Sequence, residues 1–438
     1  MRNLVLDLVR HIVRVVVRRA RRRMSSQAFC ICLRLLVSCT VMGIATQTLL
    51  NVDTLFSRAL RQRETQSLKR LRRRLTPAGA VHVHDGTRDL VNFSSNNYLG
   101  LTHHPRMLNV ARADSNAGCG AGAAGLVSGH TPDHARAEAD LAKLKSTDAA
   151  ILLPSGYQAN LAVVQAIVGA ADSVGQSVRF LVDKLAHASL IDAVRQHDVS
   201  YRVFPHNGLA KLERLLNDAP ANQLQVVLTE SVFSMDGDTA DLRGLAELKQ
   251  RHAFMLVVDE AHATGVYGDA GAGLVNEIGV RDAVDVSVVT LSKALGVSGG
   301  AVCASADFIG CVENFGRAFI YSTAVAPIIA RLASEAISIC KDEPHLARRV
   351  RELARHVRAE LKIESEKADS PIIPLIVGDP ARALHAAKVL YDAGLLVVAV
   401  RPPTVAPGTS RLRITLSAAH TDADVEQLIR ACHALTHS

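Results

Sequence analysis

Between Ala149 and Val289 the chain alternates short apolar runs with longer stretches of helical periodicity. The runs are Ala149-Ala150-Ile151-Leu152-Leu153, Phe180-Leu181-Val182, Val226-Val227-Leu228, Met255-Leu256-Val257-Val258 and Val286-Ser287-Val288-Val289. They lack a regular polar face, which is the pattern of strands covered on both sides. Helical patterns lie between and around them, at Ala135 to Leu144, Gln158 to about Val168, from Leu190 onward, Leu242 to Arg251 and Gly271 to Ile278. Strands alternating with helices predict an α/β fold with a mainly parallel central sheet. Three of the runs end on polar residues, at Glu230, Asp259 and Thr290, so their tips are expected on one edge of that sheet.

The flanks read differently. Thr54 to Leu75 has the spacing of a basic amphipathic helix, carried by Leu55, Leu60, Leu68, Leu71 and Leu75. Val81 to Val91 alternates like an edge hairpin with Asp85-Gly86 at its turn. Asn92 to Leu101 is too rich in side-chain hydrogen-bonding groups for a plain strand. The expected organisation is an extension over 1–52, a helix-and-hairpin segment over 53–95, a large domain over 96–330 and a smaller α+β domain over 331–438.

A net charge of +8 suggests a polyanionic partner until it is located. Nine of the 50 basic and one of the 42 acidic residues lie in 1–50, so 41 of each sign remain. A neutral body argues against nucleic acid as the partner. The extension has an arginine-rich start and an apolar stretch from Phe29 to Leu50. It reads as a membrane anchor, as a targeting segment, or as a piece outside the working fold. Arg34 weakens the first reading, since a central arginine costs roughly 3 kcal/mol on insertion. Eight scattered cysteines without CxxC spacing give no zinc or redox motif and suit a reducing, cytoplasmic setting.

The chemistry concentrates at the strand ends. Lys293 follows Thr290-Leu291-Ser292 at the tip of the last run, just before the glycine-rich Gly296 to Gly300. Ser155-Gly156-Tyr157 joins a strand to a helix N-terminus, where free N–H groups and the helix dipole favour an anion such as phosphate. Glu230, Ser234, Asp259, His262, Thr290 and Lys293 are expected in one crevice. Two motifs mislead. Gly120-Ala121-Gly122-Ala123-Ala124-Gly125 spells GxGxxG but lacks the strand before it, and reads instead as a flexible loop lining a site. Asp259-Glu260-Ala261-His262 spells a helicase box in a chain without a Walker A loop. His130 and His134 are split by Pro132 and do not suggest a metal pair, so no metal site is expected.

A carboxylate at one strand end, a lysine at the next and a phosphate cradle are the set that pyridoxal phosphate requires. From about residue 53 onward the chain resembles the α-oxoamine synthases, fold-type I pyridoxal-phosphate transferases that join an amino acid to an acyl thioester with loss of CO2. The matching stretches are Ser95 to Leu101, Leu185 to Ser189, Glu230 to Gly237, Asp259 to Gly265 and Thr290 to Lys293. Pro374 to Asp379 and Arg401 to His420 look most like the biotin-pathway branch, which implies L-alanine and a pimeloyl thioester as substrates. The acyl carrier, coenzyme A or a carrier protein, stays open.

The resemblance implies a role for each matching residue. Lys293 carries the cofactor and moves the substrate proton, Asp259 pairs with the pyridine nitrogen, and His187 stacks on the ring. Ser234 and His262 bond polar groups of the cofactor. Gly156, Tyr157 and Thr290 hold its phosphate, with Ser322 or Thr323 contributed by a second subunit of a homodimer with shared sites. Arg413 binds the substrate carboxylate, and Asn96, Thr404 and Arg72 are further substrate contacts. Asn97, Ser292 and Gly125 depart from residues common in the family, where Asp, Gly and Arg are usual. The rival readings are glycine C-acetyltransferase or another family member, and a non-catalytic partner subunit.

Overall fold

The computed structural model describes residues 52–113, 120–220, 222–363 and 369–436. The extension, but for its last residue, lies outside them, as do Cys30, Cys32, Cys39 and Cys119. The chain divides into two compact units, 1–70 and 71–438.

In the first unit a helix runs over Val52–Thr65. The expected helix to Leu75 is therefore ten residues too long. The amphipathic spacing continues past the break, but Ser67 takes a left-handed conformation and Lys69 turns back to Glu64 at 3.0 Å. Lys69, Arg70, Arg73 and Arg74 would stand three or four apart on a continued helix, where like charges repel.

In the second unit the strands are β1 Thr76–Pro77, β2 His82–His84, β3 Asp89–Asn92, β4 Ala149–Leu153, β5 Ser177–Asp183, β6 Ser200–Phe204 and β7 Gln223–Glu230. They continue with β8 Met255–Asp259, β9 Val286–Thr290, β10 Gly300–Ala304, β11 Ile372–Gly378, β12 Leu395–Leu396, β13 Val398–Val400 and β14 Ser410–Thr415. The large sheet has the order β4-β10-β9-β8-β7-β5-β6. Every pairing is parallel except the two that β10 makes, with β4 and β9. The α/β, mainly parallel expectation holds, with β6 and β10 as strands that the apolar pattern did not mark.

Alternate residues of each strand feed two apolar layers. Ile151, Leu153, Val226, Leu228, Val257 and Val288 pack with the helix Gly156–Ser173 on one face. Ala150, Leu152, Val227, Leu256, Val258 and Val289 pack on the other, in a core shared with the helices Pro132–Lys145, Leu242–Arg251 and Pro327–Asp342. Both faces being covered is why the runs are apolar throughout.

The hairpin β2–β3 forms as expected, with His84 opposite Asp89. It does not lie at an edge: β2 pairs with β1, and β3 pairs in parallel with β12, about three hundred residues later in the chain, with Val91 opposite Leu395. A third sheet, β11-β14-β13, is antiparallel and carries Arg413 on its central strand. No helix among the described residues is long and apolar enough to cross a membrane.

Candidate active site

Lys293 owes its position to a loop that closes on itself between β9 and β10. The Leu291 amide donates to the Gly299 carbonyl and the Val297 amide to the Leu291 carbonyl, both at 3.0 Å, and the Gly296 amide donates to the Lys293 carbonyl at 3.0 Å. Gly296 and Gly299 take φ values of 72° and 127°, which favour glycine. Beside the loop, Glu230 is in register with Asp259, and Asp259 with Val288, so the three strand tips adjoin as the run endings suggested.

A continuous hydrogen-bonded chain leaves the lysine. Lys293 Nζ lies 2.8 Å from His262 Nε2, and His262 Nδ1 lies 2.6 Å from the Tyr98 hydroxyl. Tyr98 donates to Asn96 Oδ1 at 3.1 Å, which also accepts from Arg413 Nη1 at 3.1 Å. Arg413 Nε in turn donates to the Ser234 carbonyl at 2.6 Å. Five expected residues, Lys293, His262, Asn96, Arg413 and Ser234, are thus joined through Tyr98, which the sequence had marked only as part of a motif.

A second chain orders the carboxylate. Asp259 Oδ1 accepts the Ala261 amide at 2.9 Å, and Oδ2 accepts from Asn160 Nδ2 at 2.7 Å. Asn160 also donates to Ser189 Oγ at 2.9 Å, and Ser189 Oγ is 2.7 Å from His187 Nδ1. His187 keeps solvent access although part of its ring is covered, and the ring is tethered at Nδ1. Asn160 was missed; its signal was a polar residue on the apolar stripe of an alanine- and valine-rich helix.

Burial sets the charges. Desolvation lowers the Lys293 amine to about 8 against the pull of Asp259 and Glu230, so a good part of it is neutral near pH 7–8. Desolvation, then the positive charges of Lys293 and Arg413, push His262 well below its usual range and keep it neutral. Glu230 is raised well above the carboxylate range by burial and by Asp259, and one of its oxygens has no partner. His187 is lowered by desolvation, partly offset by Asp259.

The cradle is built from close backbone approach. Ser155 caps the helix Gly156–Ser173 by accepting the Gln158 amide at 3.2 Å, which leaves the Gly156 and Tyr157 amides without intrahelical acceptors. A Cβ on Gly156 would overlap the Thr290 hydroxyl, and one on Gly300 would come within 2.5 Å of the Gly156 amide. Two free amides and a hydroxyl converging on a glycine form an anion site. With a lysine amine near its titration point and an oriented carboxylate close by, the residues fit pyridoxal phosphate.

The family model for class I and II aminotransferases matches residues 88–432. The chain belongs to that family. The 8-amino-7-oxononanoate synthase of Anaeromyxobacter dehalogenans is 43% identical over 383 residues, spanning 85% of this chain and 94% of that one. The enzyme of the same name from Maricaulis maris is 40% identical over 367 residues, 83% of this chain and 91% of that one. Sphingomonas wittichii serine palmitoyltransferase superimposes with a TM-score of 0.81 at 26% identity, covering 89% of this chain and 98% of that chain. This member of the aminotransferase family is a pyridoxal-phosphate-dependent acyltransferase of the α-oxoamine synthase branch.

Other expected residues lie apart from these two chains. The Tyr157 side chain is exposed and donates to Asp192 at 2.8 Å, so its contribution to the cradle is its backbone amide. Ser322 accepts from Gln158 at 2.8 Å within the same chain, and Thr323 bridges Ala124. Arg72 is exposed in a cleft with Arg73 and Arg74, and Thr404 is exposed with its amide on the Arg401 carbonyl. At the end of the GxGxxG run Gly125–Gly129 form a single π-helical turn, and the stretch just before Gly120 lies outside the described residues. His134 bonds Thr131 and the Val325 carbonyl, and no metal-holding cluster exists among the described residues.

Proposed function

We propose that this protein condenses L-alanine with a pimeloyl thioester, releasing CO2 and free thiol and giving 8-amino-7-oxononanoate in biotin synthesis. The observation that carries the reading is the buried chain from Lys293 through His262 to Arg413, in a member of a branch whose 43% and 40% identical relatives bear that enzyme name. The protein acts as a cytoplasmic homodimer with shared sites, in which Ser322 or Thr323 reaches the phosphate of the other subunit.

Bound pyridoxal phosphate supplies the electron sink that stabilises negative charge at the substrate Cα. The chain's own residues do the rest. Lys293 carries the cofactor and, when released from it, takes the Cα proton at Nζ, for which an amine titrating near 8 is suited. Asp259, fixed by Asn160, would pair with the pyridine nitrogen of the bound cofactor, and the His187 ring would stack on it. Ser234 and His262 bond polar groups of the cofactor, and Gly156, Tyr157 and Thr290 receive the phosphate. Arg413 presents its guanidinium to the amino-acid carboxylate, the geometry that guanidinium binds best, while Asn96, Thr404 and Arg72 line the substrate path.

Assays with alanine and pimeloyl thioester, glycine and acetyl-CoA, and serine and palmitoyl-CoA separate the branches. Turnover with the first pair alone is expected, and exclusive use of either other pair overturns the choice. Running the first pair on both carriers identifies the acyl donor.

A further inference from the structure

With one ring proton, His262 carries it on Nδ1 or on Nε2; a charged Lys293 has no lone pair to accept with and permits only the first, whereas a neutral Lys293 also permits the second. Tyr98 has one proton, and Asn96 Oδ1 can only accept. If Tyr98 donates to Asn96, as the 3.1 Å contact indicates, then its oxygen must accept from His262 at 2.6 Å. His262 is then the Nδ1–H tautomer, and its bare Nε2 accepts from the Lys293 ammonium at 2.8 Å. If instead Lys293 is neutral, His262 can donate from Nε2 to the amine lone pair, and Tyr98 turns its proton to Nδ1. Asn96 Oδ1 then keeps only its bond from Arg413.

We propose that Tyr98 is a positioning residue that sets the tautomer of His262, and through it the proton arrangement at Lys293, by joining that ring to the Asn96–Arg413 pair. Tyr98 is fully buried and does not touch the lysine, so it acts through His262. The groups facing this chain are Arg413, Lys293 and His187 around His262, and Asp259 and Glu230 around Lys293. Its consequence is that occupation of Arg413 and the protonation of Lys293 are communicated: drawing the guanidinium off Asn96 removes its competition for Oδ1, which strengthens the bond from Tyr98 and favours the arrangement with a charged amine. The role for catalysis rests on the function proposed above, but the proton arrangement is a property of the chain alone.

The test is 15N correlation spectroscopy of the ring nitrogens in the full-length, cofactor-free protein, with the His262 signals assigned by their loss in His262→Gln. The wild type should show Nδ1–H at pH 7 and change to Nε2–H as Lys293 deprotonates. In Tyr98→Phe the Nδ1–H tautomer would leave a buried N–H without an acceptor, which is less tolerable than a bare nitrogen. The change should therefore move down by about one pH unit. Asn96→Ala keeps the Tyr98 ring in place and removes the acceptor for its proton, so it should be Nε2–H already at pH 7; it answers the question alone if Tyr98→Phe does not fold. In the cofactor-loaded enzyme Tyr98→Phe should lower kcat about tenfold with cofactor affinity unchanged. A wild type with Nε2–H at pH 7, or a folded variant with unaltered tautomer and midpoint, overturns the proposal. Neither outcome depends on which substrate is used, so it cannot be confused with failure of the alanine and pimeloyl reading.

Discussion

A lysine amine that titrates near pH 8 is charged in acid and nucleophilic just above neutrality. Uptake of pyridoxal phosphate by the cofactor-free protein should therefore speed up with pH and level off above about 8, as followed by stopped-flow absorbance. A rate that is flat between pH 6 and 9 would contradict the buried amine. Lys293→Ala removes both the proposed anchor and the proposed base, so turnover should fall by roughly a thousandfold or more with circular dichroism unchanged. Asn160 makes a hydrogen bond to a charged carboxylate, worth about 1.5–3 kcal/mol. Asn160→Ala should weaken cofactor binding by roughly ten- to a hundredfold in equilibrium dialysis. Strand-tip residues such as Lys293 and Asp259 were legible in the sequence, because a polar residue closing an apolar run marks the edge of a sheet. Tyr98 and Asn160 were not, since their roles depend on partners 164 and 99 positions away.

Between elements, two polar clusters hold the site loops in place. His206 joins the loop after β5 to the loop after β7, bonding Asp183 at 3.1 Å and Asp238 at 2.6 Å. Burial opposes its charge, but the two carboxylates outweigh that and raise it from 6.5 to about 10. Because the folded value is the higher one, this contribution is full below pH 6.5 and fades as pH rises through about 10. His206→Gln should cost about 1–3 kcal/mol in urea unfolding at pH 6 and almost nothing above pH 10. Lys145 and Glu260 form a fully buried pair at 2.5 Å, and the ammonium also donates to Thr264 Oγ1 and the Ala272 carbonyl. Lys145→Met strands the Glu260 charge beneath the loop that carries His262, and thermal unfolding should show a loss of about 3–5 kcal/mol. Element existence was plain where runs were apolar, as in β7 to β9. It was hidden in β10, whose Gly-Ala-Val-Cys-Ala is small and short, and in β6, whose edge position leaves it mostly exposed.

At the scale of the molecule, the N-terminal hairpin belongs structurally with the C-terminal region. The β3–β12 pairing, the bond from the Thr415 amide to the Phe93 carbonyl at 2.8 Å and the stack of Phe93 on His420 at 4.1 Å tie them together. A chain beginning at Asp53 should be soluble and fully active. One beginning at Ser94 loses β1, β2, β3 and a buried Phe, about 3–5 kcal/mol for the side chain alone, and should aggregate on size exclusion. Sequence pattern marked the hairpin but not its partner, because a two-residue strand such as β12 has no periodicity to read.

The antiparallel strand β10 has a bearing on how the protein is made. Among the described residues β4 is an edge strand whose neighbour in the sheet is β10, about 150 residues later, and Gly300 at the start of β10 packs on the Gly156 amide. During synthesis, β4 leaves the ribosome long before its strand neighbour β10 exists. A nascent chain released before residue 300 would already hold Asp259 and Lys293 yet lack the strand that closes on Gly156, so the proposed phosphate cradle is completed late and all at once.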